Sequence, residues 1–536
     1  MRSISSFKLA IILSIVNAFI FNYNFFITIY NTYDDITFYK FLFSLQLFII
    51  FILVHTALFY LLTIKYFSKI IFIVLFLIST LCLYFMNAYS VLIDKNMLVN
   101  VFQTDVSEVG DLLHYKLFVY LGVFAVVAYI FTTKISIVYK GFFKEIFYKI
   151  LVLFVSLLLS LTILFFTYKD VSSFFRNNDH FKSVAIPLNY INALVGYVKL
   201  INKQKAENAP QIVISEDSKL GERWKNIHKK TIFVFVLGET ARAQNFSLNG
   251  YERKTNEPLD PIKKDLIVFH NTQSCGTYTA MSVPCMFSHM PASDFSISEA
   301  NRYENLLDII KKVKIDTTWI NNNSGCKGIC NNVKNMSLSS QDFIKKGEQT
   351  YDGFFIDYLK KAIKTNKADK QFYVFHTMGS HGPTYYLRYP SNFAKFTPTC
   401  DSADLKNCEV ESVVNTYDNT IYYTSYIINE MIKYLKSTDY NVVLMYVSDH
   451  GESLGENGLF LHGLPYSLAP KEQKTVPFLF WFSDSFKKEF NLKSVCLQNA
   501  SKAQVSHDTI FHSVLGLLDI KSSYYNKKLD AFAECE

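Results

Sequence analysis

From residue 441 the chain reads Asn441-Val-Val-Leu-Met-Tyr-Val447, followed at once by Ser448-Asp449-His450-Gly451-Glu452. The apolar run is typical of a buried strand, and it would deliver the Asp449 carboxylate and the His450 imidazole to the strand's carboxyl end. Open α/β sheets bind their ligands at that edge, and a carboxylate beside an imidazole suits zinc. Taken alone, the pair has an equally simple interpretation as an N-cap aspartate and a solvated histidine.

The same pattern occurs at two other places in the chain. The apolar run at 231–237 ends at Gly238-Glu239-Thr240, and the run at 371–375 ends at His376, with His381 just beyond. Three core-type strands that each end in possible ligands favour one functional site over three unrelated strand ends.

Strand and helix patterns alternate from residue 231 onward. Such alternation is typical of an α/β domain with helices on both faces of a mostly parallel sheet. Composition divides the chain into an apolar region at 1–168, a juxtamembrane helix and linker at 169–230, and this α/β domain at 231–536. Within the α/β domain we predict strands at 231–237, 266–270, 314–320, 371–376, 441–447 and 476–482, and helices at 304–313, 352–364 and 411–435.

Half of the 536 residues are hydrophobic, and the longest apolar runs lie before residue 168. A membrane-spanning helix needs roughly 17–25 such residues. The first run is too long for a signal peptide and is followed by four more, so we interpret it as an anchor. We predict five spans, at about 9–30, 41–64, 70–89, 117–133 and 150–166.

Basic residues indicate the orientation of these spans, because lysine and arginine collect on the cytoplasmic side. Five crossings from a cytoplasmic N-terminus would place the α/β domain outside the cytoplasm. The few charges within the spans argue against a transporter. The net charge of +8 is scattered, so we predict no nucleic-acid partner, and we expect a monomer. The basic residues on the predicted cytoplasmic side are Arg2, Lys8, Lys65, Lys69, Lys134, Lys140, Lys144 and Lys149.

Eight of the nine cysteines lie in the α/β domain, and an even number in an exported domain implies disulfides. Cys82 lies within a predicted span and is expected to be a small apolar filler. A metal clip is a minor alternative for Cys326 and Cys330, and connectivity stays open at this point. Sequence neighbours suggest the pairs Cys275–Cys285, Cys326–Cys330, Cys400–Cys408 and, less directly, Cys496–Cys535, because short loops close most easily.

A threonine-rich turn, Gly276-Thr277-Tyr278-Thr279, lies between Cys275 and Cys285. A threonine hydroxyl becomes a nucleophile only when a base or a metal activates it, and Glu239, Asp449 and His450 could hold such a metal. The alternative is an N-cap threonine in a disulfide-pinned loop. Two further loops could donate hydrogen bonds to phosphate: 321–327, with Ser324 and Lys327, and the glycine-rich loop that ends at His462.

Five segments together resemble the phosphoethanolamine transferases, the family that includes lipid A modifying enzymes and the mobile colistin-resistance proteins. The resemblance covers nearly the whole chain. It implies an alkaline-phosphatase/sulfatase-like α/β domain in the periplasm on a five-helix membrane domain. The segments are Gly238-Glu-Thr-Ala-Arg242, Ser274-Cys-Gly-Thr-Tyr-Thr-Ala280, Ser282-Val-Pro-Cys285, Ser380-His-Gly-Pro383 and Val447-Ser-Asp-His-Gly-Glu-Ser-Leu-Gly-Glu-Asn-Gly458.

The resemblance also implies roles for single residues. Thr279 would be the nucleophile, and one Zn²⁺ would be tightly bound, with a second possible. Three residues spaced four apart, and so on one helical face, would hold the ethanolamine end of the lipid: Asn100, Thr104 and Glu108. The zinc ligands would be Glu239, Thr279, Asp449 and His450, and the residues that contact phosphate, head group or a second metal would be Ser324, Lys327, His381 and His462.

The implied reaction moves phosphoethanolamine from phosphatidylethanolamine, through Thr279, to a lipid A phosphate of lipopolysaccharide. A histidine, His381 or His462, would protonate the alkoxide of the departing diacylglycerol. That would lower the negative surface charge and polymyxin binding of a Gram-negative cell, with the enzyme in its inner membrane. A membrane-tethered phosphohydrolase or a phosphoglycerol transferase of the same fold is an alternative, as is a protein that only binds. The sulfatase signature is absent, since Cys285 is followed by Met-Phe-Ser.

Overall fold

The computed structural model describes residues 2–32, 37–89, 91–103, 114–177, 181, 183–206, 211–345 and 348–535. The chain forms two compact units, Met1–Leu98 with Leu113–Val198, and Val99–Leu112 with Lys199–Glu536. The first unit contains the apolar helices and the second contains the sheet. The domain bounds near 168 and 230 follow changes in composition and stay predictions.

The first unit is a set of helices with a small parallel pair of strands, β1 (Arg2–Ser5) and β2 (Ile135–Val138). Within the described residues, four helical segments are long and apolar enough to cross a membrane: Phe38–Leu62, Ser68–Tyr89, Tyr115–Lys134 and Phe142–Tyr168. The helices are α1 (Ser6–Val16), α2 (Tyr23–Thr32), α3 (Thr37–Leu62), α4 (Ser68–Tyr89), α5 (Lys95–Gln103), α6 (Tyr115–Lys134), α7 (Phe142–Asn177) and α8 (Leu188–Ala206).

The first predicted span, at 9–30, is a broken helix. Ser6–Phe21 and Tyr23–Asn31 meet at 59°, after a π-helical turn at Asn17–Phe21. Backbone groups released by such a break need partners in an apolar environment. Asn22 bridges the break: its amide donates to the carbonyl of Asn17 at 2.9 Å, and it forms hydrogen bonds in both directions with the backbone of Ile186 at 2.8 Å.

The second unit is built on an eight-stranded sheet with the order β13-β5-β12-β9-β4-β8-β6-β7. All neighbours are parallel except β12, which runs antiparallel to β5 and β9. The strands are β4 (Thr231–Gly238), β5 (Leu266–Gln273), β6 (Asp316–Asn321), β7 (Lys334–Ser337), β8 (Lys370–His376), β9 (Asn441–Ser448), β12 (Thr475–Phe482) and β13 (Val505–Ser506), with short pairs β3 (Lys219–Leu220) with β14 (Ile520–Lys521) and β10 (Ser453–Leu454) with β11 (Phe460–Leu461).

Every residue of β4 and β9 is buried, so both faces of the sheet's centre are covered. Aromatic side chains stack across neighbouring strands there, with Phe233 and Phe372 at 4.9 Å between ring centroids. The helices of this unit are α9 (Thr279–Met286), α10 (Ile297–Ala300), α11 (Leu306–Lys312), α12 (Phe354–Thr365), α13 (Val410–Lys436), α14 (Lys471–Lys474), α15 (Asp484–Glu489), α16 (Ser494–Ala500) and α17 (Asp508–Leu517).

The six predicted strands and three predicted helices are confirmed, most of them within two residues at each end. The strand predicted from 314 begins at Asp316, because Lys314 has φ +62° and cannot extend it. Two edge strands, β7 and β13, were not predicted because they have only four and two residues. The prediction of a mostly parallel sheet holds with β12 as the antiparallel member.

Four disulfides lie in the second unit: Cys275–Cys285, Cys326–Cys330, Cys400–Cys408 and Cys496–Cys535. They are the pairs that sequence neighbours suggested. The last one closes a separation of 39 residues and ties α16 to the C-terminal segment, whereas Cys326–Cys330 closes only four.

Loop length predicts how much two of these disulfides stabilise the fold. Because a longer closed loop removes more entropy from the unfolded chain, replacing Cys496 and Cys535 by serine should lower the free energy of unfolding by about 4 kcal/mol. The same replacement at Cys326 and Cys330 should lower it by only about 2 kcal/mol. Denaturant unfolding of the three proteins measures the difference, and equal losses would contradict the prediction.

Candidate active site

The site begins at the carboxyl ends of the two central strands, β4 and β9. These strands are parallel and in register, with Gly238 opposite Ser448. The next residue on each strand is acidic, so Glu239 and Asp449 lie side by side at the sheet edge. Both side chains, and the imidazole of His450, are fully buried.

Thr279 faces this cluster from the first turn of α9. Its hydroxyl lies 3.0 and 3.1 Å from the two carboxylate oxygens of Glu239, to which it donates, and 3.4 Å from Nε2 of His450. Cys275–Cys285 joins the turn before Thr279 to the end of α9. The hydroxyl is thus held within hydrogen-bond reach of a base, at a helix N-terminus that favours negative charge.

Burial makes the charges of this cluster depend on one another. Burial opposes ionisation of Glu239, but the hydrogen bond and charge of His450 hold its pKa well below its usual value. Burial and the charge of Glu239 raise the pKa of Asp449 to about 7. Burial disfavours an imidazolium, yet Asp449 and Glu239 raise the pKa of His450 to about 10. The two neighbouring carboxylates therefore favour the protonated form of the His450 imidazole, with a proton on Nε2.

The same donors fit a metal ion. Ligand atoms of Glu239, Asp449 and His450 all lie within 4.8 Å of one another. Oδ2 of Asp449 is buried without a hydrogen-bond partner among the described residues. Nδ1 of His450 contacts the carbonyl of Gly451 at 2.9 Å, which leaves Nε2 facing the carboxylates. With the oxygen of Thr279, these groups form a four-donor nitrogen and oxygen set that suits Zn²⁺.

A second group of side chains adjoins the first. The ring of His462 lies 4.3 Å from that of His450 and 5.7 Å from that of His381. Nδ1 of His462 lies 2.7 Å from a carboxylate oxygen of Glu452, whose other oxygen accepts the Tyr385 hydroxyl at 2.6 Å. The carboxylate therefore orients the imidazole as in metal-site and catalytic histidines.

The 321–327 loop reaches the cluster through Asn323. The Asn323 amide donates to Glu239 at 2.8 Å, and its carbonyl oxygen accepts from the backbone and hydroxyl of Ser324. The Lys327 ammonium in turn donates to the hydroxyl of Ser324 at 2.8 Å. A cation and a hydroxyl are thereby held beside the buried carboxylates, an arrangement suited to an anionic substrate.

Comparisons with known proteins show which family the chain resembles. Residues 51–201 match the family model of the phosphoethanolamine transferases EptA/EptB, and residues 231–520 match that of the sulfatases. Phosphoethanolamine transferase EptA of Escherichia coli K12 is 39% identical over 466 residues, which are 86% of this chain and 84% of the relative. Phosphatidylethanolamine transferase Mcr-1 of E. coli is 32% identical over 85% of this chain and 84% of the relative.

A solved structure matches along the whole chain. It is the integral membrane protein lipooligosaccharide phosphoethanolamine transferase A from Neisseria meningitidis, with a TM-score of 0.94, 33% identity and complete coverage of both chains. This chain belongs to the phosphoethanolamine transferases. The transferase is accordingly a membrane protein with a sulfatase-like α/β domain, as its sequence predicts.

The structure of this transferase brings most of the predicted site residues together. Thr279, Glu239, Asp449 and His450 form the buried cluster, while His462 and His381 lie in the adjoining group. Ser324 and Lys327 occupy the loop that Asn323 fastens to Glu239. Asn100 lies on α5, whereas Thr104 and Glu108 are outside the described residues, so this threesome stays a prediction.

Three residues of the site were missed by the sequence analysis. Asn323 is the third of three consecutive asparagines, a run that usually indicates only a turn. Glu452 was quoted with its motif but not singled out, although it stands two residues after His450. Thr240 donates its hydroxyl to Glu239 at 2.7 Å and its backbone N–H to Asp449 at 3.0 Å, and its φ of +59° is not visible in a sequence.

The absence of a side chain at Gly379 lets the loop that carries His381 pack closely against the backbone of Glu239. It has φ +52°, and a Cβ at this position would lie 2.6 Å from the carbonyl oxygen of Glu239. The neighbouring Ser380 N–H donates to that same oxygen at 3.0 Å. Asp352 holds the loop from the other side by accepting the N–H groups of Met378 and Gly379 at 2.9 and 2.8 Å.

Gly379→Ala should therefore displace the backbone of Glu239 and lower phosphoethanolamine transfer by about 100-fold. Gly250→Ala is a matched control: it has φ +101°, but a Cβ there meets nothing within 4 Å. Both variants should lose about 1 kcal/mol of stability from backbone strain, and Gly379→Ala should lose more because its Cβ also meets the Glu239 carbonyl. Only Gly379→Ala should lose activity. Melting temperature and transfer rate distinguish them, and equal rates in the two variants would refute the close-approach argument.

Proposed function

We propose that this transferase moves phosphoethanolamine from phosphatidylethanolamine onto Thr279, and from there to a lipid A phosphate. The observation that carries the proposal is the Thr279 hydroxyl, which donates to Glu239 and lies beside His450 at the base of the cluster. The name of Mcr-1, a phosphatidylethanolamine transferase, supports the donor. The name of the Neisseria protein, a lipooligosaccharide transferase, supports an acceptor of that class.

Four residues would hold one Zn²⁺: Glu239, Asp449, His450 and Thr279. Zinc bound there would lower the pKa of the threonine hydroxyl and offset negative charge on the phosphoryl oxygens. The group around His462, Glu452 and His450 offers a second possible set of donors. We assign the tight site to the fully buried set, because its Asp449 oxygen has no hydrogen-bond partner among the described residues.

In the first half-reaction, Oγ1 of Thr279 forms a bond to phosphorus as the bond from phosphorus to the glycerol oxygen breaks. The pKa of Glu239 lies well below its usual value, so this carboxylate holds the hydroxyl in place, and the hydroxyl proton is lost to solvent before the attack. A proton must reach the departing diacylglycerol oxygen, and His462 is the better-placed acid of the two candidates because Glu452 orients its ring.

His381 has a different environment. Burial lowers the pKa of this imidazole to about 3, so it stays neutral at neutral pH and is suited to hydrogen-bonding a phosphoryl oxygen. Its backbone carbonyl is held by the guanidinium of Arg388 at 2.7 Å. The two histidines would thus have different roles: His462 would donate a proton, and His381 would orient the phosphoryl group.

In the second half-reaction, an oxygen of the acceptor phosphate attacks the phosphothreonine and Oγ1 of Thr279 regains its proton. This order gives ping-pong kinetics. Lys327 and Ser324 would bind the phosphate oxygens, since they present a cation and a hydroxyl at the same edge. Asn100, Thr104 and Glu108 would bind the ethanolamine end of the lipid.

We place the protein in the inner membrane of a Gram-negative bacterium, with five spans and the α/β domain in the periplasm. The lysine and arginine bias of the cytoplasmic loops supports this orientation, and the disulfides fit an oxidising compartment. Added ethanolamine ammonium groups would offset lipid A phosphates, which weakens the attraction of polymyxins and other cationic peptides.

The covalent intermediate gives the first test. Incubation of the full-length protein with zinc and phosphatidylethanolamine should release diacylglycerol and leave a phosphoethanolamine adduct on Thr279. Peptide mass spectrometry of the 275–285 segment measures the adduct. Thr279→Ser should retain the adduct because a hydroxyl remains, and Thr279→Ala should lose it together with at least about 1,000-fold of the rate. Diacylglycerol release at the normal rate by Thr279→Ala would disprove the nucleophile.

The metal gives the second test. The purified protein should contain about one zinc ion per chain, and Asp449→Asn should weaken zinc binding by more than about 100-fold, since even outer-shell changes cost that much. Asp418→Asn is the control, because Asp418 is a buried carboxylate on α13 that pairs with Arg253 at 2.8 Å. Elemental analysis after dialysis measures zinc, and full zinc retention by folded Asp449→Asn would rule out this ligand set.

A further inference from the structure

His507 is a buried imidazole that the mechanism above does not use. It lies between β13 and α17 and is only 1% exposed. Both ring nitrogens contact backbone groups of distant segments. The N–H of Cys275 donates to Nδ1 at 3.1 Å, and Nε2 lies 2.9 Å from the carbonyl oxygen of Ser448.

These two contacts determine the state of the ring. Because Nδ1 accepts a backbone N–H, it carries no proton, and Nε2 must therefore be the nitrogen that donates to Ser448. Burial lowers the pKa of His507 to about 3, which agrees with a neutral ring. The imidazole is thus a rigid link with one acceptor end and one donor end.

The two ends of this link belong to the two halves of the site. Cys275 opens the turn that carries Thr279, and Ser448 immediately precedes Asp449 and His450. Their strands, β5 and β9, are not neighbours, because β12 lies between them and runs in the opposite direction. Two strand spacings amount to about 10 Å, a gap that direct backbone pairing cannot close at the site.

A backbone bond holds His507 itself in place. The N–H of His507 donates to the carbonyl of Gln273 at 3.0 Å, next to the parallel pairing of β13 with β5. The ring therefore starts from a fixed point on β5 and reaches Ser448 at the end of β9. An aliphatic side chain of similar size would fill the space but would leave the buried N–H of Cys275 and carbonyl of Ser448 without this partner.

We propose that His507 is a positioning residue that sets the distance between the Thr279 turn and the Asp449–His450 strand end. The inference rests on the proposed function, in which Thr279 is the nucleophile. Among the described residues the ring of His507 makes its hydrogen bonds to the backbone of Cys275 and Ser448 and none to the side chains of the cluster, so its effect is on geometry. A misplacement of the nucleophile by about 1 Å costs about 100-fold in rate, and the loss should fall on kcat with the KM for phosphatidylethanolamine unchanged.

Two substitutions separate the two ends of the link. In His507→Asn the side-chain oxygen can still accept the Cys275 N–H, but the Ser448 bond is lost. In His507→Gln the amide can still donate to Ser448, but the Cys275 N–H loses its acceptor. Each should lower the rate of Thr279 adduct formation by about 10-fold to 100-fold, and His507→Ala should lower it by at least as much.

His512 provides the matched control on α17. It is a buried imidazole that accepts the backbone N–H of Asn526 at 3.1 Å and packs near Tyr525. His512→Asn and His512→Gln should lower the melting temperature as much as the His507 variants do, while kcat stays within about twofold of the unchanged protein, because a distant lost bond acts on stability alone.

The experiment uses the full-length protein in detergent with zinc, phosphatidylethanolamine and lipid A. It measures kcat, KM, the rate of adduct formation without lipid A, zinc content and melting temperature. A selective fall in kcat for the His507 variants, with zinc content kept, supports the inference. Equal kcat in the His507 and His512 variants at similar melting temperatures overturns it, as does loss of zinc in the His507 variants alone. If the unchanged protein forms no adduct on Thr279, the proposed function itself fails.

Discussion

Two carboxylates, those of Glu239 and Asp449, are buried side by side at the carboxyl edge of the eight-stranded sheet. The other groups of the site are arranged around this pair of negative charges. Their proximity follows from the parallel register of β4 and β9, so the sheet itself imposes the repulsion. Water cannot relieve it, because both side chains are fully buried. A proton on His450 relieves this repulsion, and a divalent cation held by the same carboxylate oxygens would do so as well.

Glu239 is also the point at which separate loops meet. Its side chain accepts from Thr240, Thr279 and Asn323, and its carbonyl accepts from Ser380. Each partner comes from a different segment of the chain, so the position of one carboxylate orders several loops at once. The hydrogen bonds to Glu239 therefore form together only when the whole sheet is folded.

Much of this architecture can be predicted from the sequence, because an apolar run followed directly by acidic or histidine residues is visible within one short segment. The run before Asp449 and the run before Glu239 predict both the strands and the edge at which they meet. Other contacts are hydrogen bonds between residues that are far apart in the sequence, and no short segment predicts them. The bond of Asn22 to Ile186 spans 164 residues, and the bond of His507 to Cys275 spans 232. Neither pattern of spacing nor composition reveals such a partner.

Two disulfides near the site, Cys275–Cys285 and Cys326–Cys330, enclose Thr279 and Lys327 within their loops. Strand pairing can form in any compartment, but these two loops are closed only by oxidation. A chain that remained among cytoplasmic reductants would possess every side chain of the site and still lack the closed turn that aims the hydroxyl. In the periplasmic orientation proposed above, the turn that carries Thr279 would therefore close only after the domain has left the cytoplasm.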